Sequence, residues 1–226
     1  MTRSKIPPQL SEPMWRAFRR HCHRLLALGY QEALPKIRHE AAQETDITNY
    51  ICDAMDDCLR TLPDGDWLRK LYVKDDPHVK GAGRTGKNRL KADIIIGLTK
   101  GARPEFVFEA KPLHRKKARA SRYRGKDGMG CFIGGRYASE YTEAAMIGYV
   151  QSDTLEYWQA TLQEQIEANA QSLELDHIEK QAPFPDLFPL EWSSSHRRKE
   201  AAPVKLFHIL LDCRKSENTS PSQTQR

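Results

Sequence analysis

Trp15, Phe18, Cys22, Leu25 and Leu26 recur at the 3.6-residue period, which predicts a first helix over Met14 to Leu28, stopped by Gly29. Ahead of it, residues 1 to about 12 read as a loose arm. A second, longer helical region is expected from about Lys36 to Leu62. It puts Ile47, Tyr50, Ile51, Ala54, Met55, Cys58, Leu59 and Leu62 on one face and is broken by Pro63-Asp64-Gly65. The period then changes. Leu68 to Val73, Lys91 to Leu98 and Glu105 to Pro112 read as strands, the last two joined by a hairpin-like connection over residues 99–104. Gly128 to Tyr137 is expected as a short glycine-loosened helix and Ala144 to Val150 as a strand. Leu155, Trp158, Leu162 and Ile166 mark an amphipathic helix capped by Ser152 or Asp153. Residues 181–203, with four prolines and a Ser-Ser-Ser run, read as an irregular loop. Val204 to Cys213 is a last strand, and the tail from Lys215 is expected to be disordered. This order predicts an α/β layer fold with a mixed sheet flanked by helices, in a single domain over residues 1–214.

The length of 226 residues suits one domain, and 29% charged against 39% hydrophobic residues suits a folded chain with a polar surface. The longest aliphatic run is Ile94-Ile95-Ile96, so no membrane span is expected, and the first 18 residues carry no apolar signal core. Five cysteines without a CxxC pair fit a reduced, cytoplasmic setting. The net charge of +6 hides a segregation. Lys80 to Lys126 holds 15 Lys and Arg against three acids, a net of +12, leaving 21 bases and 27 acids, a net of −6, elsewhere. One strongly basic segment on a mildly acidic chain points to a polyanionic partner, nucleic acid being the commonest; the alternative is a solvated lysine-rich loop.

Asp93 opens one of the central strands and Glu109-Ala110-Lys111 closes the next. Side chains alternate along a strand, so Glu109 and Lys111 share a face, and hairpin pairing would set Asp93 beside Glu109. Charges at the ends of Ile-Ile-Ile and Phe-Val-Phe runs are costly to desolvate without a partner. A divalent cation would satisfy both carboxylates, and all-oxygen ligands favour Mg2+ or Mn2+. A plain salt-bridged hairpin is the alternative.

Asp93 followed after fifteen residues by Glu109-x-Lys111, in apolar strands, resembles the PD-(D/E)xK nuclease superfamily, with Ala92 where the motif has Pro. The resemblance covers roughly residues 40 to 165. It implies a restriction-endonuclease-like three-layer core over residues 66–170, behind N-terminal helices within 14–62. It also implies Mg2+-dependent hydrolysis of DNA, in a setting of prokaryotic defence, restriction or repair. In such a site Asp93, Glu109 and the carbonyl of Ala110 would bind the metal. Lys111 would stabilise charge on the phosphate, or serve as base if the metal lowered its pKa. A helical acid completes such sites: Glu44 is the first choice, Glu40 its rival one turn away, Asp46 a third. Lys87, Arg89, Arg115, Lys116, Lys117, Arg119, Arg122, Arg124 and Lys126 are expected to hold the nucleic-acid backbone, contacts that position without reading sequence. RNA, a homodimer and a partner protein subunit stay open. So do two further readings: a catalytically idle nucleic-acid-binding module, and a subunit active only within a larger complex.

Other motifs carry less. His21-Cys22-His23 diverge around a helix and lack a second cluster at ligand spacing, so they read as structural. Gly81-x-Gly83-x-x-Gly86-Lys87 lacks the phosphate-loop spacing, and Asn88 stands where Ser or Thr is required, so it reads as a basic loop.

Overall fold

A computed structural model describes residues 11–38, 42–78, 91–101, 103–116, 120–135, 137, 142–199 and 201–215. Helices α1 (Glu12–Ile37) and α2 (Glu44–Thr61) lead through a 3-10 turn (Trp67–Lys70) to the strands β1 (Leu71–Asp75), β2 (Ile94–Leu98) and β3 (Glu105–Leu113). Short helices α3 (Ala120–Arg124) and α4 (Met129–Ile133) follow. Then come β4 (Glu143–Val150), α5 (Leu155–Ala168), β5 (Leu175–Glu179), β6 (Trp192–His196) and β7 (Val204–Asp212).

The seven strands form one mixed sheet in the order β1-β2-β3-β4-β7-β6-β5. Its middle is parallel (β3 with β4, β4 with β7) and its wings are antiparallel. Alternation along the strands sends side chains to two separate cores. Ile94, Ile96, Phe106, Phe108, Ile147 and Ile209 pack under α1 and α2. Ile95, Val107, Met146 and Leu206 pack under α3, α4 and α5. A mixed sheet flanked by helices is thus what forms.

Several boundaries differ from the pattern-based expectation, each for a packing reason. Gly29 does not stop the first helix, which runs on to Ile37 because Ala33 and Ile37 continue the buried stripe. A Cβ on Gly29 would stand 2.3 Å from Met55 Cγ and 3.0 Å from the Ile51 carbonyl oxygen, so this glycine lets α1 and α2 touch. Lys36 accordingly belongs to α1 and not to the second helix. The stretch expected as a strand from Leu68 begins with the 3-10 turn, where the Asp66 side chain accepts from the Leu68 amide at 2.9 Å. Helix α5 is capped by Thr154, which accepts from the Tyr157 amide, and not by Ser152 or Asp153. The stretch 181–203 is not wholly irregular: Trp192–His196 is an inner strand, and β5 pairs outside it. The arm over residues 1–10, the glycine-rich loop 81–87 and the tail from 216 lie outside the described residues.

Candidate functional site

Pairing between β2 and β3 ends at Ile94 opposite Phe108, while β3 continues to Leu113. This leaves an open edge on β3 at Glu109, Ala110 and Lys111. Asp93, one residue before β2, fills part of the gap: its Oδ2 accepts from the Ala110 amide at 2.6 Å, replacing the lost ladder bond. Glu109 and Lys111 share the strand face of Val107 and Leu113, on the α3–α5 side. At the open edge the Lys111 ammonium can still reach the start of α2. It donates to Glu44 Oε1 at 3.0 Å, Glu109 Oε1 at 2.8 Å and the Ala110 carbonyl at 2.6 Å, and lies 3.7 Å from Asp93 Oδ2. Side chains distant in sequence therefore meet at one notch. Its floor is buried, with Glu109 6% and Lys111 8% exposed, and its rim is open, with Glu44 25% and Asp93 27% exposed.

Three carboxylates share a single ammonium, and the electrostatics show the shortage. Burial, and then the charge of Asp93, push Glu109 up to about 8 against the pull of Lys111. Burial also raises Asp93, although Lys111 and the Ala110 amide oppose it. For Lys111, burial alone would lower the pKa, but Glu109, Asp93 and Glu44 outweigh it and the ammonium is held protonated. Glu109 Oε2 is buried with no hydrogen-bond partner. A buried carboxyl oxygen without a partner, and acids whose pKa is raised for want of positive charge, fit a divalent cation bound through oxygen. Among the described residues no group of three or more His, Cys, Asp and Glu stands ready to hold a metal ion. Here the carboxylates are gathered around the lysine, which fills the space between them.

The surrounding chain holds these groups in place. Glu44 opens α2, where Asp46 turns back to accept from the Gln43 amide at 3.3 Å; Asp46 therefore caps its own helix instead of joining the notch. One turn on, Thr48 donates to the Glu44 carbonyl and meets the Tyr149 hydroxyl of β4 at 3.0 Å. Gln151 ties the end of β4 both to β3, through the Leu113 carbonyl, and to the lead-in of α2, through the Ala42 carbonyl at 2.8 Å. Tyr137, which the residue pattern does not single out, donates to the Lys91 carbonyl and faces the Glu109 carboxyl. No periodic signal marks it, since it follows a glycine pair in an irregular stretch.

The expected nucleic-acid contacts divide. Arg115 lies just past β3, paired with Asp153 at 3.5 Å, and Lys116 beside it is exposed. Arg122 faces solvent on α3, as does Lys126 after it, whereas Arg124 turns to Gln165 of α5 at 3.1 Å. Lys87, Arg89, Lys117, Arg119 and the rival acid Glu40 lie outside the described residues. The chain matches no protein-family model, no curated protein and no solved structure.

Proposed function

We propose that the chain is a Mg2+-dependent nuclease of the PD-(D/E)xK kind, with a restriction-endonuclease-like core, that hydrolyses phosphodiester bonds of DNA. The observation that carries this reading is the meeting of Asp93, Glu109, Lys111 and Glu44 at the open edge of β3, beside exposed Lys116 and Arg122. Asp93, Glu109 and the Ala110 carbonyl would hold the cation, with Glu44 completing the set from α2. When bound, Mg2+ or Mn2+ would supply positive charge to polarise the phosphodiester and acidify water. Lys111, held protonated among the carboxylates, would place positive charge against the phosphoryl oxygens; the base role applies only if a bound metal lowers its pKa. Glu109 and Asp93 orient that ammonium through their ion pairs, and Ala110 ties both groups to β3, its amide bonded to Asp93 and its carbonyl to Lys111.

Purified protein should nick or degrade labelled DNA in Mg2+ and stop on EDTA. Glu109→Gln and Lys111→Ala should each lose about 100-fold or more in cleavage rate while still binding DNA in a gel shift. Circular dichroism would establish that each variant is folded. Normal cutting by a folded variant overturns the assignment. One observation favours a second reading: Lys111 already pairs with all three carboxylates, a closed cluster that an idle DNA-binding module of this fold could also carry. Binding without cleavage in either Mg2+ or Mn2+ selects that module.

A further inference from the structure

Four residues beyond Lys111, the chain builds a second feature that the cleavage chemistry does not use. Tyr157, on the first turn of α5, is 38% exposed, one of the few large hydrophobic side chains left in solvent among the described residues. The Arg115 guanidinium lies over its ring, 5.5 Å from the centroid. Neighbouring groups position both partners. The Arg115 amide donates to Ser152 Oγ at 2.9 Å, and Ser152 in turn donates to Asp153 Oδ2 at 2.8 Å. The other oxygen of Asp153 meets the Arg115 guanidinium. Asp153 itself sits at φ +62°, a strained conformation for a residue with a Cβ. The buried Trp158 closes the assembly, donating to the Ser152 carbonyl at 2.6 Å and meeting Tyr157 edge-on at 5.5 Å.

The exposed ring and the guanidinium over it together offer flat stacking surface, the planar guanidinium and the part of the ring it leaves open, with a positive charge. Duplex DNA can use only the arginine, through a phosphate, because its bases are stacked on each other and their faces are closed to the ring. An unpaired nucleotide can use both parts, the base stacking and the phosphate meeting the arginine. The ledge also stands within reach of the notch: four residues of extended chain span no more than about 13 Å.

We infer that the Arg115–Tyr157 ledge takes an unpaired base, which makes single-stranded DNA, or a strand freed at an end or fork, the substrate of the site. This rests on the nuclease reading for the chemistry but not for the binding, so the test separates them. Fluorescence anisotropy of the full-length chain in EDTA would compare labelled oligo-dT with a duplex of the same length. Wild type should prefer oligo-dT. Tyr157→Ala should weaken oligo-dT binding about tenfold, the size of one stacked base, with less than a twofold effect on the duplex. Tyr157→Phe, which keeps the ring, should restore the preference. Equal losses on both ligands, an unchanged affinity in Tyr157→Ala, or a wild type that prefers duplex overturns the ledge. If the expected pattern holds but no DNA is cut in Mg2+ or Mn2+, the nuclease reading fails and the ledge stands. If duplex and single strand are cut equally and Tyr157→Ala changes neither, the ledge alone fails.

Discussion

Lys111 is the residue on which the notch depends. An ammonium 8% exposed beside three carboxylates offsets part of the cost of burying them, though burial still outweighs it at Glu109 and Asp93. Removing it leaves Glu109 sealed in the interior with no cation at all. Lys111→Met should therefore cost about 3 kcal/mol or more of folding stability in metal-free buffer, as loss of one member of a buried pair does. Millimolar Mg2+ should return part of that loss, because a divalent ion can stand where the ammonium stood. Urea unfolding with and without Mg2+ measures both numbers. An unchanged midpoint in the variant would show that the carboxylates do not need the lysine, and no gain on adding Mg2+ would show that the notch does not accept the ion. At this scale the sequence was readable where chemistry is local. Glu109 and Lys111 are two apart on one strand, and register sets Asp93 across from them.

The element scale is governed by close approach. Helix α1 crosses α2 at Gly29, where an added methyl would fall 2.3 Å from Met55 Cγ and 3.0 Å from backbone. Gly29→Ala gains about 1 kcal/mol of helix propensity but forces the two helices apart, an overpacking cost of about 1–3 kcal/mol. The variant should be net destabilised, and adding Met55→Ala should cost less than the sum of the two single changes, since the sites share one contact. Chemical denaturation of the four proteins in the cycle checks this; strict additivity would mean that the helices do not meet as described. The linear pattern reads Gly29 as a stop because glycine ends many helices. What it cannot show is that the next turn of the stripe, Ala33 and Ile37, is buried against the sheet.

For the whole molecule, the late strands are joined by a polar chain in the core beneath α3 and α5. Ser194 of β6 links His196 and His208, at 2.7 Å each. His208 goes on to the Tyr123 hydroxyl of α3, and His196 to the Leu173 carbonyl. Burial lowers the pKa of both imidazoles, that of His208 furthest, so both are neutral in the folded chain. In the unfolded chain they take up protons below about pH 6.5. Stability is therefore fully present above that pH and is lost as pH falls, by up to about 1.4 kcal/mol per pH unit for each histidine. Glu109, raised to about 8, takes up a proton on folding in this range and opposes the decline, so the test is a difference. Between pH 6.5 and 5, the stability of His208→Gln from thermal unfolding should fall less steeply than that of wild type, by up to about 1.4 kcal/mol per pH unit. An equal slope in the variant would sink the explanation. The same network explains why β6 is hidden in the sequence: Trp-Ser-Ser-Ser-His reads as a loop, yet Ser194 and His196 are buried because they satisfy each other and His208 of β7.

The order of residues alone determined the helical and strand periods, the separation of charge along the chain, and the pairing of Asp93 with Glu109-x-Lys111, since each depends on neighbours within one element or one hairpin. No described helix is long and apolar enough to cross a membrane, as the short aliphatic runs already indicated. Only the tertiary structure decided which acid of the second helix joins the notch, because Glu44 and Asp46 differ by two positions yet one faces Lys111 and the other caps the helix. It likewise turned Arg124 toward α5 and set Arg115 on the ring of Tyr157. The physical reason is the same throughout: a side chain's period predicts the face it occupies, but its partner is chosen by whatever the rest of the chain packs against that face.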